Sequence, residues 1–169
     1  MLALCAADCF NIALPSSRPK ASSSGFRSFL GISFGDSLRD VRHYYPNGVN
    51  ETSPLGYSCY HVTGLSSDGI IYQDVIYEFD GDRGMQVVVA RFAPSSAEAV
   101  LERLRRLLGE PTQHTLTGDQ RMAEALWTKP SGEQIRLDRP RHLISVLGPQ
   151  GGNLKKDLEL RIESSAATL

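Results

Sequence analysis

The stretch from Ile70 to Thr112 constrains the fold most, because it carries two strands, the turn between them and a helix with both ends marked. IIYQDVIYEFD is dense in β-branched and aromatic residues, Gly81-Asp82-Arg83-Gly84 supplies a turn, and MQVVVARFA returns as a second strand. After Pro94, residues 95–108 place Ala97, Val100, Leu101, Leu104, Leu107 and Leu108 on one helical face. Ser95 and Glu98 have capping-box spacing, Gly109 is positioned to end the helix, and Pro111 blocks its continuation. Antiparallel strands followed by a helix that must bury an apolar stripe specify an α+β fold.

At 169 residues the chain suits one domain with a sizeable core. Its net charge of -1 provides no overall field to attract nucleic acid or anionic lipid. The three cysteines, Cys5, Cys9 and Cys59, are too few for a disulfide framework and lack companion ligands for a metal, so they read as small reduced apolar residues. MLALCAADCFNIAL is apolar but has no basic leader and is broken by Asp8 and Asn11, which makes it a poor secretion signal. No run reaches the ~18 apolar residues of a membrane span. The expectation is a soluble cytoplasmic protein, with export as the alternative if the true start lies upstream.

Residues 1–24 form the apolar segment and a Ser/Pro linker, 25–163 the domain, and 164–169 a fraying tail. The domain divides into halves, 25–93 and 94–163. The first opens with FRSFLGISF as a strand, then a short helix capped by Asp36 in which Leu38, Val41 and Tyr45 share a face, then a polar loop. Strands follow near 57–63, Ile70–Phe79 and Met85–Phe92. The second half opens with the helix after Pro94 and continues with strands near 122–129, 133–138, 142–147 and 157–163. For the last, LKKDLELRI fits both periods. The alternation of Leu158, Leu160 and Ile162 with Glu159, Arg161 and Glu163 favours a strand, and Gly151-Gly152-Asn153 suits a hairpin loop before it. The expected architecture is an antiparallel twisted sheet with two helices on one face. Its two related halves reflect either a duplication or repeated use of common structural grammar.

Phe34-Gly35-Asp36-Ser37-Leu38-Arg39-Asp40-Val41 and Leu107-Leu108-Gly109-Glu110-Pro111-Thr112, with the order of helix then antiparallel strands repeated, are similar to the β-lactamase-inhibitor-protein and SmpA/BamE type of tandem α/β repeat. The first helix departs from that pattern by leading to Tyr44-Tyr45-Pro46-Asn47 rather than to L-G-x-P. The resemblance implies a binding scaffold whose open sheet face contacts a protein partner, and it carries no site residue across.

Chemistry-bearing motifs are sparse. Gly31-Ile32-Ser33-Phe34-Gly35 has the form G-x-S-x-G, but the antiparallel surroundings suit a glycine turn better than a nucleophile elbow. His43, His61, His114 and His142 share no ligand spacing, and Glu78, Asp80 and Asp82 lack the length of a calcium loop. No cofactor or metal site is expected. Arg103, Arg105 and Arg106, with Lys129, Arg136, Arg139, Arg141 and His142, would make a phosphate footprint only if they converge.

The outward strand faces are the best place for function. With Ile71, Val75, Tyr77 and Phe79 turned to the helices, simple alternation exposes Ile70, Tyr72, Asp74 and Ile76 and adds Met85, Val87, Val89 and Arg91. Farther along, Glu124, Arg136, Glu159 and Arg161 point outward while Ala125, Trp127, Ile135, Leu137, Leu158, Leu160 and Ile162 point inward. The expected function is a non-catalytic protein-binding module using Tyr72, Asp74, Arg91, Glu124, Arg136 and Arg161, or self-association through the same face. The alternatives are a small nucleic-acid-associated protein, which the charge balance disfavours, and an enzyme without a recognised motif. The enzyme would need a pocket holding a titratable pair such as His61 near Asp74. The expected core is Val75, Tyr77, Phe79, Val100, Leu104, Leu107, Trp127, Leu137 and Val146.

Overall fold

The computed structural model describes residues 28–166, with side chains through residue 163. The described residues open with a two-strand hairpin, β1 (Ser28–Phe29) and β2 (Ile32–Ser33), rather than one strand. Leu30 and Gly31, at φ 50° and 83°, make its turn. In α1 (Leu38–Tyr44) the cap is Ser37 and not Asp36: its Oγ accepts from the Asp40 N–H, and Asp40 accepts from the Ser37 N–H at 3.0 Å. Asp36 instead accepts from the Ser33 N–H at 2.9 Å.

Four strands follow: β3 (Val49–Thr52), β4 (Ser58–Ser67), β5 (Ile70–Phe79) and β6 (Met85–Phe92). Helix α2 (Ala97–Leu108) then leads to β7 (Gln113–Leu116), β8 (Met122–Thr128), β9 (Gln134–Asp138) and β10 (Leu143–Leu147). The Ser95–Glu98 capping box does not form. Pro94–Ser96 is a short 3-10 turn, Ser96 Oγ accepts from the Ile71 N–H at 3.2 Å, and Glu98 pairs with Arg139. The eight strands β3–β10 form one antiparallel sheet in the order β3-β4-β5-β6-β10-β9-β8-β7. Within each half a helix is followed by a four-strand meander, and the last strands of the two meanders, β6 and β10, pair at the centre. The exposed edge strands β3 and β7 were hidden in polar sequence because neither buries a side chain.

Both α1 and α2 lie on one face, where Val41, Val100, Leu101 and Leu104 meet Tyr77, Val88, Trp127, Leu137 and Val146. This is the expected core except for Leu107, which is 58% exposed and borders a small hollow beside Phe29 and Leu30.

Two bulges override the simple alternation. The pairing of β5 with β6 runs from Tyr72–Phe92 to Asp74–Arg91, leaving Gln73 without a partner, so Ile70 and Tyr72 join Val75 and Tyr77 on the helix side while Ile71 faces out. A second shift, at Gln86, turns Met85 inward while Val87 and Val89 face away. Gln86 uses its side chain to join the turn to the loop after β10: Nε2 donates to the Arg83 carbonyl at 3.0 Å and Oε1 accepts from the Gln150 N–H at 3.2 Å.

The largest correction is at the C-terminus. The segment read as a strand over 157–163 is helical, within α3 (Lys155–Ala166), and the helix runs into the segment read as a fraying tail. The apolar segment and linker assigned to 1–24, with Cys5 and Cys9, lie outside the described residues. Helix α3 packs on the sheet face opposite α1 and α2, setting Leu154, Leu158 and Ile162 on Val87, Val89, Leu143 and Leu147.

One glycine joins the N-terminal segment to the sheet. Gly84 has φ 70°, and a Cβ there would lie 2.3 Å from the Gly35 carbonyl oxygen. Two backbone bonds hold this approach, from the Gly35 N–H to Met85 O at 3.0 Å and from the Met85 N–H to Asp36 O at 2.8 Å. Gly84→Ala therefore combines backbone strain with a backbone clash and should lower the urea-unfolding free energy by more than ~1 kcal/mol. Gly56→Ala, at φ 92° with open space around it, is the control for the conformational part alone.

Candidate binding groove

Because α3 crosses only the middle of its sheet face, the outer strands β7, β8 and β9 are left uncovered beside it. The result is a groove of about 390 Å³ between the helix and these strands. Leu126, Leu147, Leu158 and Ile162 give it apolar surfaces, and Ser145 lies in its floor. Gln113, Thr115 and Gln134 line the strand side, while Lys155 and Glu159 stand on the helix. Arg136 Nη2 donates to Glu124 Oε2 at 3.1 Å across the β8–β9 pair, so two of the residues expected from sequence meet in this groove.

The other four lie elsewhere. Tyr72 is 2% exposed and packs edge-on against Phe29 at 5.8 Å, turned inward by the Gln73 bulge, so it cannot contact a partner. Arg161 is also corrected, because the helix carries it under α3 instead of out to solvent. Its Nε donates to Glu78 Oε2 at 3.3 Å and its Nη2 to Cys59 Sγ at 2.9 Å. Burial is the first cause that pushes the Cys59 thiol up to about 12, with the Arg161 charge opposing it. Asp74 and Arg91 stand opposite each other in the β5–β6 register, half-exposed and outside the groove.

His61 does meet Asp74. Its Nε2 lies 3.1 Å from Asp74 Oδ1 and its Nδ1 2.8 Å from Glu51 Oε1, but none of the three lines the groove. Of the other histidines, His114 borders the groove and His142 packs edge-on against Phe92 at 5.8 Å. Asp80 is paired with Arg83 at 3.3 Å while Glu78 faces α3, so the acidic turn does not converge. Among the described residues, no group of three or more His, Cys, Asp and Glu is arranged to hold a metal ion.

The basic residues disperse as well. Arg141 binds Asp138 at 2.7 Å, Arg105 lies 3.4 Å from Glu110, and Arg103 and Arg139 pair with Asp68 and Glu98. Lys129 Nζ donates to the Leu108 carbonyl at 3.0 Å.

Leu126 and Ser145 were readable as groove residues, since alternation with the inward Ala125, Trp127, Ile144 and Val146 turns them to the opposite face. Leu158 and Ile162 belong to the groove only once the segment is a helix, where their i,i+4 spacing aligns them. Among the described residues, no helix is long and apolar enough to cross a membrane.

The chain matches no family model. Comparison with curated proteins and with solved structures likewise finds no match.

Proposed function

We propose that the chain is a non-catalytic binding module that takes an extended, apolar-anchored segment of a protein partner into the groove between α3 and the outer strands. The observation that carries this reading is an open groove between the outer strands and a helix that walls it, with Leu126, Leu147, Leu158 and Ile162 set among polar side chains. About 390 Å³ is at the small end of the ~300–1,000 Å³ typical of ligand sites, which suits a few anchoring side chains rather than a whole domain. The edge strand β7 lends its residues Gln113 and Thr115 to the same groove. A partner strand paired to that edge would gain main-chain hydrogen bonds while alternate side chains enter the groove. Lys155 and Arg136 are balanced by Glu159 and Glu124, so the rim favours neither a polyanion nor a polycation. Pairing of most of the candidate arginines with carboxylates weakens the nucleic-acid alternative. The position of His61 outside the groove weakens the enzyme alternative.

The same reading treats the two helix-plus-meander halves as copies of one unit. Their element order and the central β6–β10 pairing support it, as does the resemblance to tandem α/β repeats that use a sheet face for protein contact.

The test is site-specific photo-crosslinking in native extract. A crosslinker at Gln113, on the groove, should capture one discrete protein, whereas one at Arg106, exposed on α2 across the sheet, should not. Leu126→Lys, which places a charge among the groove's apolar side chains, should reduce that capture about tenfold, equivalent to ~1.4 kcal/mol. Equal capture from both positions, or capture indifferent to Leu126→Lys in a folded protein, counts against the groove.

A further inference from the structure

Beneath α3, four side chains from three elements meet away from solvent. Cys59 comes from β4, Glu78 from β5, and Asp157 and Arg161 from α3; Cys59, Glu78 and Asp157 are fully buried. Arg161 Nε donates to Glu78 Oε2 at 3.3 Å and lies 3.9 Å from Asp157 Oδ2. Asp157 Oδ1 accepts from the Leu55 N–H at 2.8 Å, tying the first turn of α3 to the loop before β4. With both acids ionised, two carboxylates face one guanidinium and a thiol whose burial opposes ionisation, leaving one negative charge uncompensated. Glu78 Oε2 and Asp157 Oδ2 both approach the same Arg161 Nε, at 3.3 and 3.9 Å, yet Glu78 Oε1 and Asp157 Oδ2 are buried without a hydrogen-bond partner. One proton removes both difficulties: it neutralises the excess charge and supplies the missing donor.

We infer that Glu78 carries a proton that it donates to Asp157, and that this bond locks α3 onto the sheet, so that rising pH loosens this helix and the groove wall it forms. The lock stands on the buried cluster alone; only its consequence for the groove rests on the binding reading above. Burial, and then contact with Asp157, push the Glu78 carboxyl up to about 8, against the opposing charge of Arg161. An acid whose pKa is raised by folding keeps its full stabilisation below the unfolded value of 4.5, and that stabilisation drains away as pH rises from there to about 8. The other groups around Glu78 do not alter the sign. Cys59 is its β4 neighbour and Val87 its uncharged β6 neighbour. Glu51, across β4 from Cys59, is engaged with His61, which also meets Asp74.

Glu78→Gln tests the lock, because the amide keeps the shape and provides a permanent N–H in place of the proton. In the full chain, alkylation of Cys59 is followed by peptide-resolved mass spectrometry for both proteins, so that the pH dependence of the uncovered thiol's own chemistry cancels in the ratio. The wild-type-to-Glu78→Gln ratio should rise about tenfold from about pH 6 to about pH 9 as α3 uncovers the thiol, since ~1.4 kcal/mol of lost anchoring is tenfold in an opening equilibrium. Infrared difference spectra should show the carbonyl band of a protonated carboxyl in the wild type at the lower pH, lost at the higher pH and absent from Glu78→Gln. A ratio that stays flat overturns the lock, and a wild type without the band overturns the proton on Glu78. Neither result depends on whether the groove captures a partner.

Discussion

Arg161→Glu should detach α3 and cost about 3–5 kcal/mol near pH 8, the range for removing one partner from a buried ion pair. Arg161 contributes the positive charge between Glu78 and Asp157 beneath α3. Reversal sets a third carboxylate beside two buried ones. The loss should shrink as the medium is acidified. Glu78 already binds its proton more tightly when folded, up to about 8, and the added charge strengthens that preference, so the folded variant gains protons relative to the unfolded chain as pH falls toward 4.5. Urea unfolding at about pH 5.5 and about pH 8, followed by far-ultraviolet circular dichroism, would show the variant nearer to wild type at the lower pH. A variant as stable as wild type at both pH values would return Arg161 to the surface role that strand alternation assigned to it, and would remove it from the α3 clamp.

Trp127→Ala should destabilise the other side of the sheet by a similar amount, about 3–5 kcal/mol, through loss of the largest side chain in that core and the cavity left behind. Trp127 is 1% exposed and sits with Leu137, Ile135 and Val146 in the core under α2. Its indole N–H also donates to the Gly109 carbonyl at 2.9 Å, which fastens the end of α2 to β8. Trp127→Phe separates the two contributions: it keeps most of the bulk and leaves Gly109 O without this donor, so it should lose a smaller amount, of the order of the ~1 kcal/mol of one hydrogen bond plus the trimmed ring. Urea-unfolding midpoints read by circular dichroism distinguish them. Near-equal losses for Ala and Phe would mean that the bond to Gly109, rather than packing, dominates the site. An Ala loss below ~1 kcal/mol would contradict the burial itself.

The strongest periodic segments were legible because each meets its environment residue by residue. α2 carries an apolar stripe that only one face of a sheet can bury, and Gly109 at φ 81° ends it with its N–H bonded to Arg105 O. In β9 and in β8 from Glu124 onward, past the irregularity at Ala123, alternation sorted Trp127 and Leu137 from Glu124 and Arg136. β5 and β6 carry equally clear composition, yet the faces of Tyr72 and Met85 came out reversed, since a bulge adds one residue without any mark in the local pattern. Tyr72 was lost from the candidate site for that reason, while Glu124 and Arg136 were retained.

Local sequence determined the α+β class, the two helices that cover one face of the sheet, the turn between β5 and β6 and most of the principal core, because turn chemistry, capping and hydrophobic period act over a few residues. By contrast, Gly151-Gly152-Asn153, read as a hairpin loop, is a 3-10 turn that leads into α3. Tertiary structure alone decided the state of residues 155–166, where Leu158, Leu160 and Ile162 fit a strand while Leu154, Leu158 and Ile162 fit a helix. β10 sits in the middle of the sheet, hydrogen-bonded on one side to β6 and on the other to β9, so the chain leaving it finds no free edge beside it on which to build another strand. It crosses the sheet face instead. As a helix it sets Leu154, Leu158 and Ile162 on Val87, Val89, Leu143 and Leu147, brings Asp157 and Arg161 to Glu78, and raises the wall that makes the groove.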